Sequence, residues 1–172
     1  MSITQYALNL GLLAWILAAN LGTRPAGTRR LLTPLVVVAG VAAGFLTNVP
    51  TRGNDLLLEV ALAAAGAALG VLAGLLVSVR RRGTEIVTRA GAAYAVLWVI
   101  VIGGRIAFAY GAEHWFSLQI GRFSRQHLIT GADAWTAAFV LMALAMVVTR
   151  VAVTAVRIAR VTRRPATSLA AA

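Results

Sequence analysis

Two ionisable residues, Glu59 and Arg105, stand inside long apolar runs of this sequence. A carboxylate and a guanidinium have few uses in hydrocarbon: they pair, relay protons or bind ions. At about 100° per residue, Glu59 shares a helix face with Gly66 and Gly70, while Arg105 shares one with Tyr94 and Trp98. Placed on antiparallel neighbours, the two charges reach similar depth in the outer half of a bundle. The expectation is a Glu59–Arg105 ion pair. It serves either as a clasp that fixes register or as a proton- or anion-binding centre. Separate snorkelling of each charge to the surface is the alternative. Asn9, deep in the first run, needs an interhelical hydrogen bond.

The other reactive side chains cluster in the gap Glu113–Gly131, which carries Glu113, His114, Trp115, Phe116, Arg122, Phe123, Arg125 and His127. Aromatics mixed with arginine fit an external loop lying among lipid headgroups, with His114, Arg122, Arg125 and His127 as its ligand-facing candidates. Asp133 or Thr130 is suited to cap the helix that follows. The histidines and acids match no zinc spacing, so no metal is expected. Cysteine is absent, which excludes disulfides, thiolate catalysis and covalent haem attachment, and lysine is absent, which excludes a Schiff base. No P-loop, GxGxxG after a strand, HExxH or GxSxG occurs. The reading is a non-enzyme without cofactor. A lipid-modifying enzyme using Glu113, His114 or His127 is the third-ranked alternative.

The elements that must hold these residues are written in the hydropathy. Of 172 residues, 60% are hydrophobic and only 12% are charged, with a mean hydropathy of +0.84. Five stretches are each long enough to cross a ~30 Å hydrocarbon core: Ile3–Leu21, Leu31–Val49, Leu56–Val79, Ala90–Ala112 and Ala134–Val156. The fold class expected is an all-α membrane protein, a bundle of five transmembrane helices. Residues 1–160 form its single domain and residues 161–172 a disordered cytoplasmic tail. The segment Met1–Leu21 has no basic n-region and reads as a retained span.

Arginine placement orients the bundle. Twelve of the sixteen basic residues, all arginine, fall in alternate connections: Arg24, Arg29 and Arg30; Arg80, Arg81, Arg82 and Arg89; and Arg150, Arg157, Arg160, Arg163 and Arg164. Basic connections mark the cytoplasm, so the N-terminus belongs outside and the C-terminus inside. The net charge of +11 therefore reports topology and anionic headgroups at the cytoplasmic face, with no nucleic-acid partner. Arg150, Arg157 and Arg164 recur every seventh residue as a basic stripe.

Helices in lipid associate through small residues. Gly66, Gly70 and Gly74 give two overlapping GxxxG steps, and Gly40 and Gly44 give another. Internal packing is the plain account of these faces, and a homodimer face is the sharper one. Gly103-Gly104 favours a bend. Pro34 falls in the first turn or so of the second span, where a missing N–H matters little.

The order of features resembles the CcdC-like family of small bacterial membrane proteins over most of the chain. The resemblance rests on Thr23-Arg24-Pro25 through Arg29-Arg30 before a span, Glu59 before Gly66 and Gly70, and Arg81-Arg82-Gly83-Thr84-Glu85 before Arg89-Ala90-Gly91. Arg105 in the next span and the Thr149-Arg150 exit complete it. It implies a small polytopic protein of the bacterial plasma membrane, and exclusive arginine with abundant alanine fits a high-GC bacterium. The functional expectation is a non-enzymatic scaffold or accessory protein that packs against other membrane proteins or itself. A small oligomeric transporter or ion-coupled sensor using Glu59 and Arg105 is the alternative.

Overall fold

Helix gives way to strand where the third apolar run changes its pattern. After Leu76 the chain alternates Val77-Ser78-Val79-Arg80, a period of two with β-branched residues on one side, which suits a pleated strand. The computed structural model describes residues 22–25, 28–45, 53–83 and 85–163, together with Gly11. In chain order they form β1 (Gly22–Pro25), α1 (Thr28–Phe45), α2 (Asp55–Leu76), β2 (Val77–Arg82), β3 (Glu85–Ala90), α3 (Ala92–His114), α4 (Ser117–Gln126) and α5 (Ala132–Arg163).

Among the described residues three helices, α2, α3 and α5, are long and apolar enough to cross a membrane, with 22, 23 and 32 residues. At ~1.5 Å per residue the shortest reaches about 33 Å, enough for the hydrocarbon core. They take up the runs beginning at Leu56, Ala90 and Ala134. The run expected over Leu31–Val49 is helical from Thr28 to Phe45, with Arg29 and Arg30 in its first turn, and α1 is not one of the three span-length apolar helices. Because α1 starts this early, Pro34 lies in its second turn and leaves the Arg30 carbonyl without its usual donor. Apart from Gly11, the expected first span, Ile3–Leu21, lies outside the described residues, Asn9 included, as do residues 164–172.

α2 and α5 run parallel and make the most extensive helix pairing in the molecule. A Cβ on Gly66 would overlap the Met142 carbonyl oxygen, and one on Gly70 the Met146 carbonyl oxygen. One on Gly74 would lie 2.7 Å from Val153 Cβ. Three successive glycines thus bring the two backbones together, which dispersion forces reward in lipid. Gly40 behaves differently: a Cβ there meets nothing within 4 Å, so the expected close contact at this position is absent among the described residues, and the surroundings of Gly44 lie outside them. α3 runs against both partners and continues unbroken through Gly103-Gly104. The core gathers Ala73, Val77, Ala90, Tyr94, Trp98, Ile102 and Met146 where α2, α3 and α5 meet the strands.

The fold is not all helical. A three-stranded antiparallel sheet of order β1-β3-β2 occupies two of the arginine-rich connections. Gly83, at φ +62°, turns β2 back into β3 in a conformation that glycine adopts without strain. Register then sorts the side chains. Val77, Val79, Ile86, Thr88 and Ala90 share one face, half-buried or buried, with exposed Arg81 at its tip, while Ser78, Arg80, Arg82, Glu85 and Arg89 lie exposed on the other beside half-buried Val87. The apolar run reads through Val79 as a span because hydropathy alone cannot separate helix from strand.

The third arginine-rich segment reaches the same end. Arg157 on α5 donates from Nη1 to the Gly74 carbonyl at 2.7 Å, to the Leu75 carbonyl at 2.9 Å, and to that of Val77. The last carbonyls of a helix lack intrahelical donors, and a cation there also suits the helix dipole. Arg157 therefore closes the end of α2. Arg150 lies over the Tyr94 ring, 5.1 Å from its centroid. Two of the three members of the expected basic stripe thus turn into the protein, the third, Arg164, lying outside the described residues, whereas Arg160 and Arg163 are exposed. Helix α5 extends through Arg163, past the expected tail boundary at 160.

Gly66→Ala or Gly70→Ala should cost roughly 1–3 kcal/mol, because rigid backbone occupies the new methyl's place. Gly103→Ala, with nothing within 4 Å, should stay within about 0.5 kcal/mol of the parent. Thermal unfolding in one detergent compares them, and equal effects would show that the α2–α5 seam is not closely packed.

Candidate functional site

The end of the bundle opposite the sheet is held by a latch that begins with a turn. Gly53 adopts φ +60°, and a Cβ there would strike the Leu128 carbonyl oxygen. That carbonyl accepts the Asn54 N–H at 3.0 Å. Asp55, the first residue of α2 and 0% exposed, accepts the Thr130 N–H at 2.8 Å on one carboxylate oxygen and the Thr130 hydroxyl on the other. Thr130 is thereby committed to Asp55 and does not cap α5. Nothing in the sequence reading marked Asp55. Its signal was an acid opening a helix after Gly53-Asn54, but a partner 75 residues away leaves no local trace.

One turn further along α2, Glu59 is 2% exposed, and its Oε1 has no hydrogen-bond partner. The expected Glu59–Arg105 ion pair does not form among the described residues. Two causes act together. Helix α2 packs along α5 and touches α3 only sparsely, so the assumed neighbours are not the main pair. Depth also differs. Glu59 stands four residues from the start of α2 and Arg105 nine from the end of α3, a mismatch of about 7 Å between level helix ends.

Arg105 instead lines a cavity of about 800 Å³ between α3, α4 and the start of α5. The expected external loop is in fact ordered here as the ten-residue helix α4. The chain enters α4 by folding Phe116 onto Gly111, where the Trp115 and Phe116 N–H groups both donate to the Gly111 carbonyl at 2.8 and 2.9 Å. It leaves through Leu128, at φ +55°. Phe108 forms the hub of the wall, with ring centroids 5.2 Å from Trp135, 5.1 Å from Phe139 and 6.1 Å from Phe116. Trp135 Nε1 donates to Ser124 Oγ at 3.2 Å and ties α5 to α4.

Of the four loop candidates, only Arg125 lines this cavity. Arg122 is exposed and points elsewhere. His114 and His127 each bond through Nδ1 to a carbonyl one turn back, Tyr110 at 3.0 Å and Phe123 at 2.9 Å, and stack on those residues' rings. They are engaged within their own helical turns. No group of three His, Asp or Glu able to hold a metal occurs among the described residues.

At the opposite end, the outward face of the β2–β3 hairpin forms a hollow of about 400 Å³. Ser78, Arg80, Arg82 and Arg89 line it, with Leu76 and Gly91 at its base. Exposed guanidiniums on one pleated face present a flat positive surface. The molecule thus carries an amphipathic cavity at one end and a basic face at the other.

Double-mutant cycles separate the two acids. Asp55→Asn with Thr130→Val should show a coupling of about 0.5–3 kcal/mol, whereas Glu59→Gln with Arg105→Gln should be additive within about 0.5 kcal/mol. Chemical unfolding in detergent reads both. Strong coupling in the second cycle would restore the ion pair.

The chain matches no family model, no curated protein sequence and no solved structure.

Proposed function

We propose that this is a multi-pass protein of the bacterial plasma membrane, of the CcdC-like kind, that works as a non-enzymatic scaffold or accessory protein. In this reading it has five spans, an external N-terminus and a cytoplasmic C-terminus. The sheet end lies in the cytoplasm, where it meets anionic headgroups and other membrane proteins or a second copy of the chain.

One observation carries this reading. Three arginine-rich segments, far apart in sequence, are drawn to the same end of a set of apolar helices by β1–β3 pairing, the β2–β3 hairpin and Arg157. Basic connections are retained in the cytoplasm, and a shared end makes their charges act together. Each arginine near an anionic leaflet is worth ~1 kcal/mol, so Arg80, Arg82 and Arg89 on one exposed face supply enough attraction to seat an acidic surface.

A second reading, an ion-coupled sensor or small oligomeric transporter, draws on the buried and unpartnered Oε1 of Glu59. An acid in that position is an ion-site candidate in its own right. It needs no ion pair with Arg105. Proton flux into proteoliposomes that disappears in Glu59→Gln would favour it over the scaffold.

A reporter fused after Arg163 should be active only in the cytoplasm. A photo-crosslinker replacing exposed Ser78, on the same face as the arginines, should capture a membrane-protein partner in cells, and capture should fall in Arg80→Glu/Arg82→Glu/Arg89→Glu. Reporter activity only outside the cell would overturn the orientation, and adducts to lipid alone would overturn the scaffold.

A further inference from the structure

We propose that the cavity between α3, α4 and α5 binds a free fatty acid, with Arg105 holding its carboxylate and the aromatic wall holding its chain. The argument starts from charge. Arg105 lies two to three turns inside α3, about 13 Å from its end, and is half-buried. It has no hydrogen-bond or ion-pair partner among the described residues, and of the charged side chains lining the cavity it is the deep one. Glu113 and Arg125, of opposite sign, lie toward the ends of α3 and α4. Arg105 therefore leaves one positive charge unmet deep in the cavity, a demand that a single anionic group fills. A guanidinium satisfies a carboxylate through two parallel N–H···O bonds, and far more strongly in an apolar setting than in water.

Shape and lining point to the rest of the ligand. A volume of about 800 Å³ lies within the range of small-molecule sites, ~300–1,000 Å³. Phe108, Ile120, Trp135 and Phe139 line the cavity with Arg105 and suit methylenes, and the Trp135 N–H is already given to Ser124. The cavity is partly open, and two of the three helices that line it, α3 and α5, are of membrane-spanning length, so an amphiphile can reach it from the surrounding lipid. One charge, deep and single, matches a monocarboxylate.

Isotope-labelled oleate tests this on the full chain in nanodiscs of zwitterionic lipid, with oleyl alcohol and acetate as competitors. Oleate should bind saturably, and neither competitor should displace it at equal concentration. Arg105→Gln should weaken binding about tenfold or more. Gly121→Leu tests the same idea without touching the charge. A Cβ at Gly121 meets nothing within 4 Å, so a leucine there fills the cavity while leaving the surrounding packing intact, and binding should be lost. Arg122→Gln, exposed and outside the cavity, should bind as the parent does. Equal binding by Gly121→Leu and the parent, displacement by oleyl alcohol, or displacement by acetate would each overturn the proposal. If Arg105→Gln does not fold, the Gly121→Leu and competition arms still decide it.

Discussion

Close parallel approach of α2 and α5 is the constraint on which the molecule depends. Three glycines at a four-residue spacing remove the side chains of α2 from the seam, and α5 moves into the vacated space with its backbone at Gly66 and Gly70 and with Val153 at Gly74. In lipid no hydrophobic force drives helices together, so contact at this range is the available source of cohesion. Polar bonds then fix both ends of the seam. Asp55 grips Thr130 at one, and Arg157 closes the exposed carbonyls of α2 at the other. A seam pinned at two places cannot slide by one turn without breaking charged hydrogen bonds.

That register positions everything else. With Arg157 anchored to the end of α2, the chain emerging as β2 starts against α5, and Val77 and Ala90 join Tyr94, Trp98 and Met146 in one core. The hairpin is consequently rooted in the helices, and its alternate residues are forced outward as a basic face. At the other end, holding Leu128 and Thr130 against Gly53–Asp55 fixes where α5 begins. The α4 helix must then lie across the gap between α3 and α5, and the space it roofs is the cavity at Arg105.

The charges illustrate how hydrocarbon selects partners. Asp55 satisfies its carboxylate with a backbone N–H and a hydroxyl, neutral donors that involve no second ion. Arg157 uses carbonyls, and Arg150 uses the face of a tyrosine. Opposite charges inside the bundle thus find dipoles and rings in preference to each other. Glu59 and Arg105 are left with unmet capacity, which is why ion or ligand chemistry centres on them.

Much was legible in the residues alone. Long apolar runs dictate span-length helices because backbone polar groups must be satisfied internally in lipid. The Gly66, Gly70 and Gly74 spacing marks a close-packing face because 3.6 residues make a turn. What the sequence could not express was which helix that face meets. Adjacency in the chain suggested α3 as neighbour to α2, yet a parallel partner three helices later won, and the Glu59–Arg105 expectation failed with it. Strand pairing in the arginine-rich connections was hidden for a related reason. Four to six residues of alternating pattern look like the fringe of a helix until β1, from a separate connection, pairs with β3 as Thr23↔Arg89 and supplies hydrogen bonds from afar. Local pattern thus determined which segments are helical and which faces are narrow. Only the tertiary structure decided who faces whom, because pairing is a property of distances between segments and those are set by the whole chain at once.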